Sequence, residues 1–587
     1  MPTKLANQFP RTPLAALLIL LAPPALCADL DVSLTPSIAS PAPVGTLITW
    51  TATAFEGVHW YRFSTRGPDS VRRIIKDFGP ESSFDWAPYE REGSYEIQVE
   101  VRNTATGETG RAAVPYHVES NAPAGGKASI RPTVHPLVYL YSAPPCKAGD
   151  VAVVYFVAGA GGELSQTPAK ICDGVSSMNF LIAGLRHETR YLAKHVLFNS
   201  GGFVDNPVLE FTPAANTADL PVHRKVSGAT SSPGQRVHLA ASLFALFVAT
   251  DLDGNVIWYY PKPMLFLTSA DAGGYFFGIH EDEAGGASRQ IMRVFDLTGT
   301  TVLETNAGRV SEQLIALGKR PISAFHHEAR RARNGNILVL ASVERILTDV
   351  QGPGPVNVLG DMIIELNRDL EVVWTWDTFD HLDVRRMATQ GDLCTPQACP
   401  PFFLSPQAND WVHGNSVSET ADGYLLYSAR SQDWIVKIDY QGGSGGGNVV
   451  WRLGRDGDFQ ISSGDLNDWF SHQHDAEIEA DGTMSVFDNG NVRRATDSSA
   501  QSRGQVFRLN EANRRAEIVL NANLGHYAFA LGSAQRLDSG HYIFDAGYRL
   551  DSTGITVEVS PRGEIVYAIE SSAPEYRTFR LRDMYNP

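Results

Sequence analysis

Four side chains in the C-terminal half of the chain, His327, His413, Arg430 and His474, have the types and spacing of a chemical site. Three imidazoles could hold a zinc ion with one position left open. A guanidinium beside them works against a metal, because a fixed cation repels it. It suits instead a tetrahedral oxyanion such as sulfate or phosphate, gripped by the planar fork of the arginine. A neutral imidazole is itself a nucleophile toward such a centre. Taken singly, each histidine has a plain reading as a polar residue satisfying a turn. The argument for a site rests on where the four fall in a repeat.

That repeat is a strand, an Asn-Gly or Asp-Gly-like turn and a second strand, the strongest short-range hairpin signal. His327 lies eight residues before Gly335, Asn415 eight before Gly423, His474 eight before Gly482 and Gly532 eight before Gly540. In a regular hairpin of this length, the residue eight before the turn glycine returns beside the one seven after it. Arg430 is thereby expected next to Asn415, Asn489 next to His474, and Ser342 next to His327. His413, two before Asn415, shares its strand face. His326 and His472 are the neighbours that could stand in for His327 and His474.

A second repeat of strand, polar turn and strand begins near residues 249, 293, 363, 436, 507 and 557. Its copies alternate rather than showing a 3.6-residue stripe, so they read as hairpins. Six copies predict six antiparallel sheets, and closing them in a ring protects their edges. The expected fold is all-β: a six-bladed β-propeller over residues 235–587, with the first repeat inside and the second outside. Residues 29–120 read as a β-sandwich, from strands at 46–52 and 95–102. Residues 121–132 have linker composition, and 133–230 read as a second, fibronectin-like β-sandwich unit.

A chain of 587 residues is too long for one core and should hold about two to four domains. Its net charge of −16, with no long Lys/Arg run, argues against nucleic acid as a partner. Lys4 and Arg11 precede an apolar run from Leu14 to Leu21, the pattern of a cleaved export signal over residues 1–28. Export to the periplasm or secretion follows. A lipid anchor at Cys27 is the less favoured alternative, because Leu26 is bulky where such signals carry a small residue. The apolar run from Leu239 to Thr250 is too short to span a membrane and reads as buried strand. Without Cys27, the four remaining cysteines allow three pairings. Cys146 with Cys172, and Cys394 with Cys399, needs the least long-range closure. The second pair could instead hold a metal, but disulfides are favoured in an oxidising compartment.

The stretches DHLD at 380, DWVHGNSV at 410, LLYSARSQDWIVKID at 425, WRLG at 451, FSHQHDAEI at 470 and SVFDNGN at 485 closely resemble the bacterial aryl sulfate sulfotransferases. The resemblance covers roughly residues 235–587 and is carried by ungapped motifs in order. It implies a six-bladed propeller after an N-terminal β-domain, and ping-pong transfer of a sulfuryl group from a phenolic sulfate ester to a phenol. Neither a nucleotide sulfate donor nor any metal or other cofactor is implied. His474 matches the transiently sulfurylated histidine of the family's QH motif, His413 the histidine of D-W-x-H-x-N-S, and Arg430 the arginine of S-x-R. A further histidine before an Asn-Gly turn matches His327, with His326 as the alternative. Asn415 and Asn489 are expected to orient these groups at the substrate. Trp411, Phe470, Phe402 and Phe403 could wall the ring of the substrate, although aromatics there are more often core. Two sandwich-like units exceed the family's usual single small domain, which leaves a homodimer open. The competing readings are an arylsulfatase-like hydrolase, a non-catalytic propeller binding an anion or a protein, and a metal-dependent propeller lyase or hydrolase.

Overall fold

A computed structural model describes residues 30–587 apart from 56, 123–125, 160–161, 281–285, 392, 396–398 and 400. The expected export signal over residues 1–28, with its lipid-anchor alternative at Cys27, lies outside the described residues. Strand makes up 51% of the chain and helix 6%, which is the all-β class.

The C-terminal part contains six sheets, each built on four antiparallel strands. Five of them run in chain order from a first strand at Phe266–Asp271, Ala324–Arg331, Gly414–Glu419, His474–Ile478 or Ser533–Arg536. The remaining sheet is composite. The last strand of the chain, Glu575–Leu581, pairs with Val237–Ser242 and completes a sheet begun more than 300 residues earlier. The six first strands touch one another in cyclic order, with Glu575–Leu581 lying against both Phe266–Asp271 and Ser533–Arg536. The hairpins turning at Gly335, Gly423, Gly482 and Gly540 are the pairs at this centre. Those of the second repeat lie further out.

Apolar residues from facing sheets fill the space between them. Leu338, Leu340, Ile363 and Trp376 of one sheet meet Val417, Leu425 and Tyr427 of the next, with Trp411 from the segment that joins the two sheets. Each aliphatic side chain so buried contributes about 1.5–3 kcal/mol, and trimming Leu340 to Ala would cost about 2–5 kcal/mol. The run from Leu239 to Thr250 forms the buried strands Val237–Ser242 and Val248–Thr250. Among the described residues, no helix is long and apolar enough to cross a membrane.

Toward the N-terminus, Leu34, Ile48, Trp50, Phe63, Ile97, Val99 and Val101 pack in one core between two sheets. The alternation read at 95–102 appears as alternating burial along Gly93–Asn103. One strand of this region, Arg72–Gly79, bridges Thr301–Asn306 in parallel at Lys76 and Glu304, so its sheet runs on into the second of the six. The carboxylate of Glu304 is held between Lys76 and Arg293. A further core gathers Tyr141, Val154, Phe156, Phe180 and Tyr191, with Cys146 disulfide-bonded to Cys172. Its strand Ser129–Pro132 falls inside the stretch whose composition reads as linker. Ile130 packs on this core, and that apolar contact draws the segment into the sheet.

Candidate active site

At each central strand that carries a site residue, the ladder is interrupted. The breaks fall between Phe325 and Ala329, between Gly414 and Ser416, and between His474 and Glu477. An extra residue in one strand ends the period-two alternation and re-aims a side chain. His327, His413, His472 and Asp475 accordingly sit at φ values of 56°, 45°, 52° and 55°. Such left-handed backbone costs about 1–3 kcal/mol per residue and persists where the surroundings enforce it.

These bulges correct the cross-strand neighbours expected from a regular hairpin. Ser342 pairs with Ala324, not His327, and the ladder partner of His474 is Phe487, not Asn489. Arg430 leaves the strand to open a short 3-10 turn, and its backbone N–H donates to the His413 carbonyl at 3.3 Å rather than pairing with Asn415. At the fourth copy of the register, Gly532 carries no side chain for a steric reason. A Cβ there would lie 2.5 Å from the Phe487 ring and from the Asp545 carbonyl oxygen.

His474 is buried, and its Nδ1 lies 2.7 Å from Oδ1 of Asn489. The amide nitrogen of Asn489 donates to the carbonyls of Ala528 at 2.9 Å and Leu531 at 3.1 Å. With both amide hydrogens given to carbonyls, the amide oxygen must face the imidazole. Nδ1 of His474 therefore carries the proton, and Nε2 keeps a lone pair. Burial, followed by the charge of Arg430, holds the His474 pKa well below the ordinary histidine value. His472 is tied instead to Asp433, at 3.1 Å from its Nδ1.

The other imidazoles gather around His327. Its ring is 4.9 Å from that of His413, edge to face, and stacks at 4.9 Å on Phe266. Burial, then the neighbouring His413 and His326, push its pKa well below the ordinary value. His326 Nε2 lies 3.1 Å from Asp361, and its Nδ1 lies 2.9 Å from Nδ1 of His327. Asp361 also accepts from the Gly414 N–H and the Tyr427 hydroxyl. A Cβ on Gly414 would fall 2.3 Å from the Tyr427 ring, so only glycine permits that approach. His413 is bonded through Nδ1 to the Asp410 carboxylate, and its side chain is 14% exposed, which makes it the histidine of the group that reaches outward. Asn415 is buried and donates to the Gln473 carbonyl at 2.7 Å, bracing the backbone just before His474.

Sequence reasoning missed the cation beneath the group. Arg577 is buried, with Nη1 3.0 Å from Glu328 and Nη2 3.1 Å from the Asn415 carbonyl, and it lies 3.6 Å from Asp475. A signal existed, since Glu328 and Asp475 directly follow His327 and His474 at the same point of the repeat. Tyr576 donates to the His327 carbonyl at 2.5 Å. Of the aromatics expected near the site, Trp411, Phe470 and Phe402 are core, and Phe403 is half exposed. Cys394 and Cys399 are disulfide-bonded, and their sulfurs lie within 4.8 Å of a carboxylate oxygen of Asp410.

Comparisons with known proteins bear on this segment. No curated protein matches the chain. Among solved structures, the two fibronectin type-III domain segment from chicken tenascin is 15% identical, over 31% of this chain and 97% of that one, with a TM-score of 0.14. The chicken interferon gamma receptor alpha chain is 8% identical, over 31% and 98%, with a TM-score of 0.13. Both likenesses are too slight to bear on architecture. The family described as Arylsulfotransferase (ASST) matches residues 223–577, more than half of the chain. That span holds His327, His413, Arg430 and His474 together with every group that braces them. The chain belongs to the arylsulfotransferase (ASST) family.

Proposed function

We propose that this protein is an aryl sulfate sulfotransferase that works in two steps through a sulfohistidine at His474, without a nucleotide sulfate donor. Membership of the arylsulfotransferase family supports the reaction class. The observation that carries the mechanism is the Asn489 amide, anchored by two carbonyls and turned so that Nε2 of His474 is the free nucleophile.

In the first step Nε2 attacks the sulfur of a phenolic sulfate ester. The N–S bond forms, the S–O bond to the ring breaks, and the electron pair leaves on the phenolate oxygen. Arg430 spans two sulfuryl oxygens, because its fork matches a tetrahedral oxyanion. Protonated His413, steadied at Nδ1 by Asp410, gives its Nε2 proton to the departing oxygen. In the second step an acceptor phenol returns a proton to His413 as its oxygen attacks sulfur, and the N–S pair goes back to His474. His327, held neutral by burial and backed by His326 and Asp361, shapes the pocket. Positioning and oxyanion binding dominate such a loose transition state, by analogy with phosphoryl transfer.

The cyclic contact of six central strands supports a six-bladed β-propeller over residues 235–587, with a β-sandwich unit at 29–120. A second such unit, though expected over 133–230, stops short of His223–Gly228, since that strand pairs with Ile565–Ser571 of the last sheet. Two disulfides fit an oxidising compartment, the periplasm or the exterior. Donor and acceptor are small phenolic molecules. Mixing the enzyme with a chromogenic aryl sulfate and no acceptor tests the reading. It should release one phenol per site in a burst, add one sulfuryl group to His474, and discharge that group when phenol follows. Steady turnover without burst or label would leave a hydrolase or a direct transfer in its place.

A further inference from the structure

A second group of imidazoles and carboxylates lies where the two ends of the family segment meet. Oε1 of Glu575 is 2.9 Å from Nε2 of His223 and 4.0 Å from Nε2 of His238, and the three ligand atoms lie within 4.8 Å of one another. All three side chains are at most 1% exposed. The fully buried carboxylate of Asp545 packs against Glu575. Among the described residues, neither ring nitrogen of His238 has a hydrogen-bond partner, nor has Nδ1 of His223. A buried imidazole with both nitrogens unanswered is uncommon, because buried polar atoms are almost always paired. Arg580, a buried cation whose charge acts on His238, is answered by Glu558 at 3.8 Å.

We propose that His223, His238 and Glu575 form a site for a divalent metal ion of the zinc type, with its fourth position open. Two imidazoles and a carboxylate are a ligand set that zinc accepts. Four-coordinate zinc needs ligand atoms about 3.3 Å apart, given bonds of about 2.0–2.1 Å. The observed separations of 2.9 and 4.0 Å bracket that value. Gly554 makes room for the Glu575 carboxylate, since a Cβ there would stand 2.8 Å from its Oε2.

The position of the site gives the ion its role. His223 opens the strand added outside the last sheet, His238 lies in the first sheet, and Glu575 begins the strand that completes it. A bound ion would clip the ring where the chain enters it to where it leaves, across 352 positions of sequence. Metal binding of this kind adds directly to folding stability.

The test uses the full chain, stripped with a chelator and then titrated with zinc alone. One ion per chain should be retained. The melting temperature should rise by roughly 2 °C for each tenfold increase in free zinc above the dissociation constant. Cobalt(II) in its place should give the visible absorption bands of a tetrahedral nitrogen–oxygen site. His238→Ala should lose the ion and the thermal response. If that variant does not fold, the stoichiometry and cobalt spectrum of the parent chain decide. A folded parent chain that keeps no ion at micromolar zinc and melts at an unchanged temperature overturns the site, as does a folded His238→Ala that still holds one ion. The readouts are an ion count, a spectrum and a melting temperature, so failure here leaves the sulfotransferase reading untouched.

Discussion

Asn489 accepts a hydrogen bond from Nδ1 of His474 at 2.7 Å while its own amide nitrogen is fixed to Ala528 and Leu531. The asparagine is thus a bracket with one free end, and that end sets the tautomer of the ring. Asn489→Ala should leave the protein folded and lower kcat by up to about 10⁴-fold, by analogy with a catalytic histidine deprived of its orienting partner. KM for the aryl sulfate should move little. A kcat within a few-fold of the parent would take the tautomer out of the mechanism.

His474→Ala should abolish transfer with an unchanged circular dichroism spectrum, because only the nucleophile is irreplaceable in a two-step reaction. His472→Ala should keep measurable turnover, since that ring is tied to Asp433 rather than to Asn489. Inactivity of the second variant with activity in the first would move the nucleophile to the neighbour.

Arg430→Lys retains the charge and loses the planar fork. Turnover should fall by about 10²–10³-fold, with donor binding weakened as well. Steady-state constants of the variant decide the point, and near-parental values would set Arg430 outside contact with the sulfuryl group.

The pH dependence follows from the direction of two shifts. Burial lowers the pKa of both His474 and His327, so between pH 6.5 and their folded values the unfolded chain binds protons that the folded chain does not. Stability therefore rises with pH through that window. It falls below pH 6.5 by up to about 1.4 kcal/mol per pH unit for each such histidine. The nucleophile itself stays neutral there. The burst of phenol at low temperature should persist below pH 6.5 while the melting temperature declines. A burst that titrates away near pH 6.5 in a still-folded protein would contradict the burial of His474.

The Cys394–Cys399 bridge lies against Asp410, which in turn holds His413. Cys394 also pairs with Ala408 on the strand that ends at Asp410. Replacing both cysteines by Ala should loosen this carboxylate and lower kcat by about 10-fold, less than the roughly 10²–10⁴-fold that general acid–base help supplies in full. The first-step burst with a donor whose phenol leaves easily should be less affected than with a poor leaving group. Equal losses for both donors would point to general unfolding of the region.

Much of this arrangement is legible in sequence because Asn-Gly and Asp-Gly turns encode hairpins locally. The inner hairpins at Gly335, Gly423, Gly482 and Gly540 are found where those turns place them. The bulges are not legible, since an extra residue in a strand leaves no compositional trace, and Ser342 consequently misses His327. Contacts of long range are hidden for a different reason. Arg577 meets Glu328 across 249 positions, and no local pattern announces that pairing. His223 meets Glu575 across 352 positions in the same way.

The parallel bridge between Lys76 and Glu304 has a bearing on how this protein could be dissected. Thr301–Asn306 is the outermost of the four strands of its sheet, and Arg72–Gly79 lies along it. A chain shortened to residues 223–587 would bare that row of backbone N–H and C=O groups and leave the 5%-exposed Glu304 without Lys76. An open strand of this kind invites another molecule to add to it. The N-terminal unit is in this sense a built-in guard against self-association, and fragments lacking it should precipitate or form strand-paired multimers where the longer chain stays dispersed.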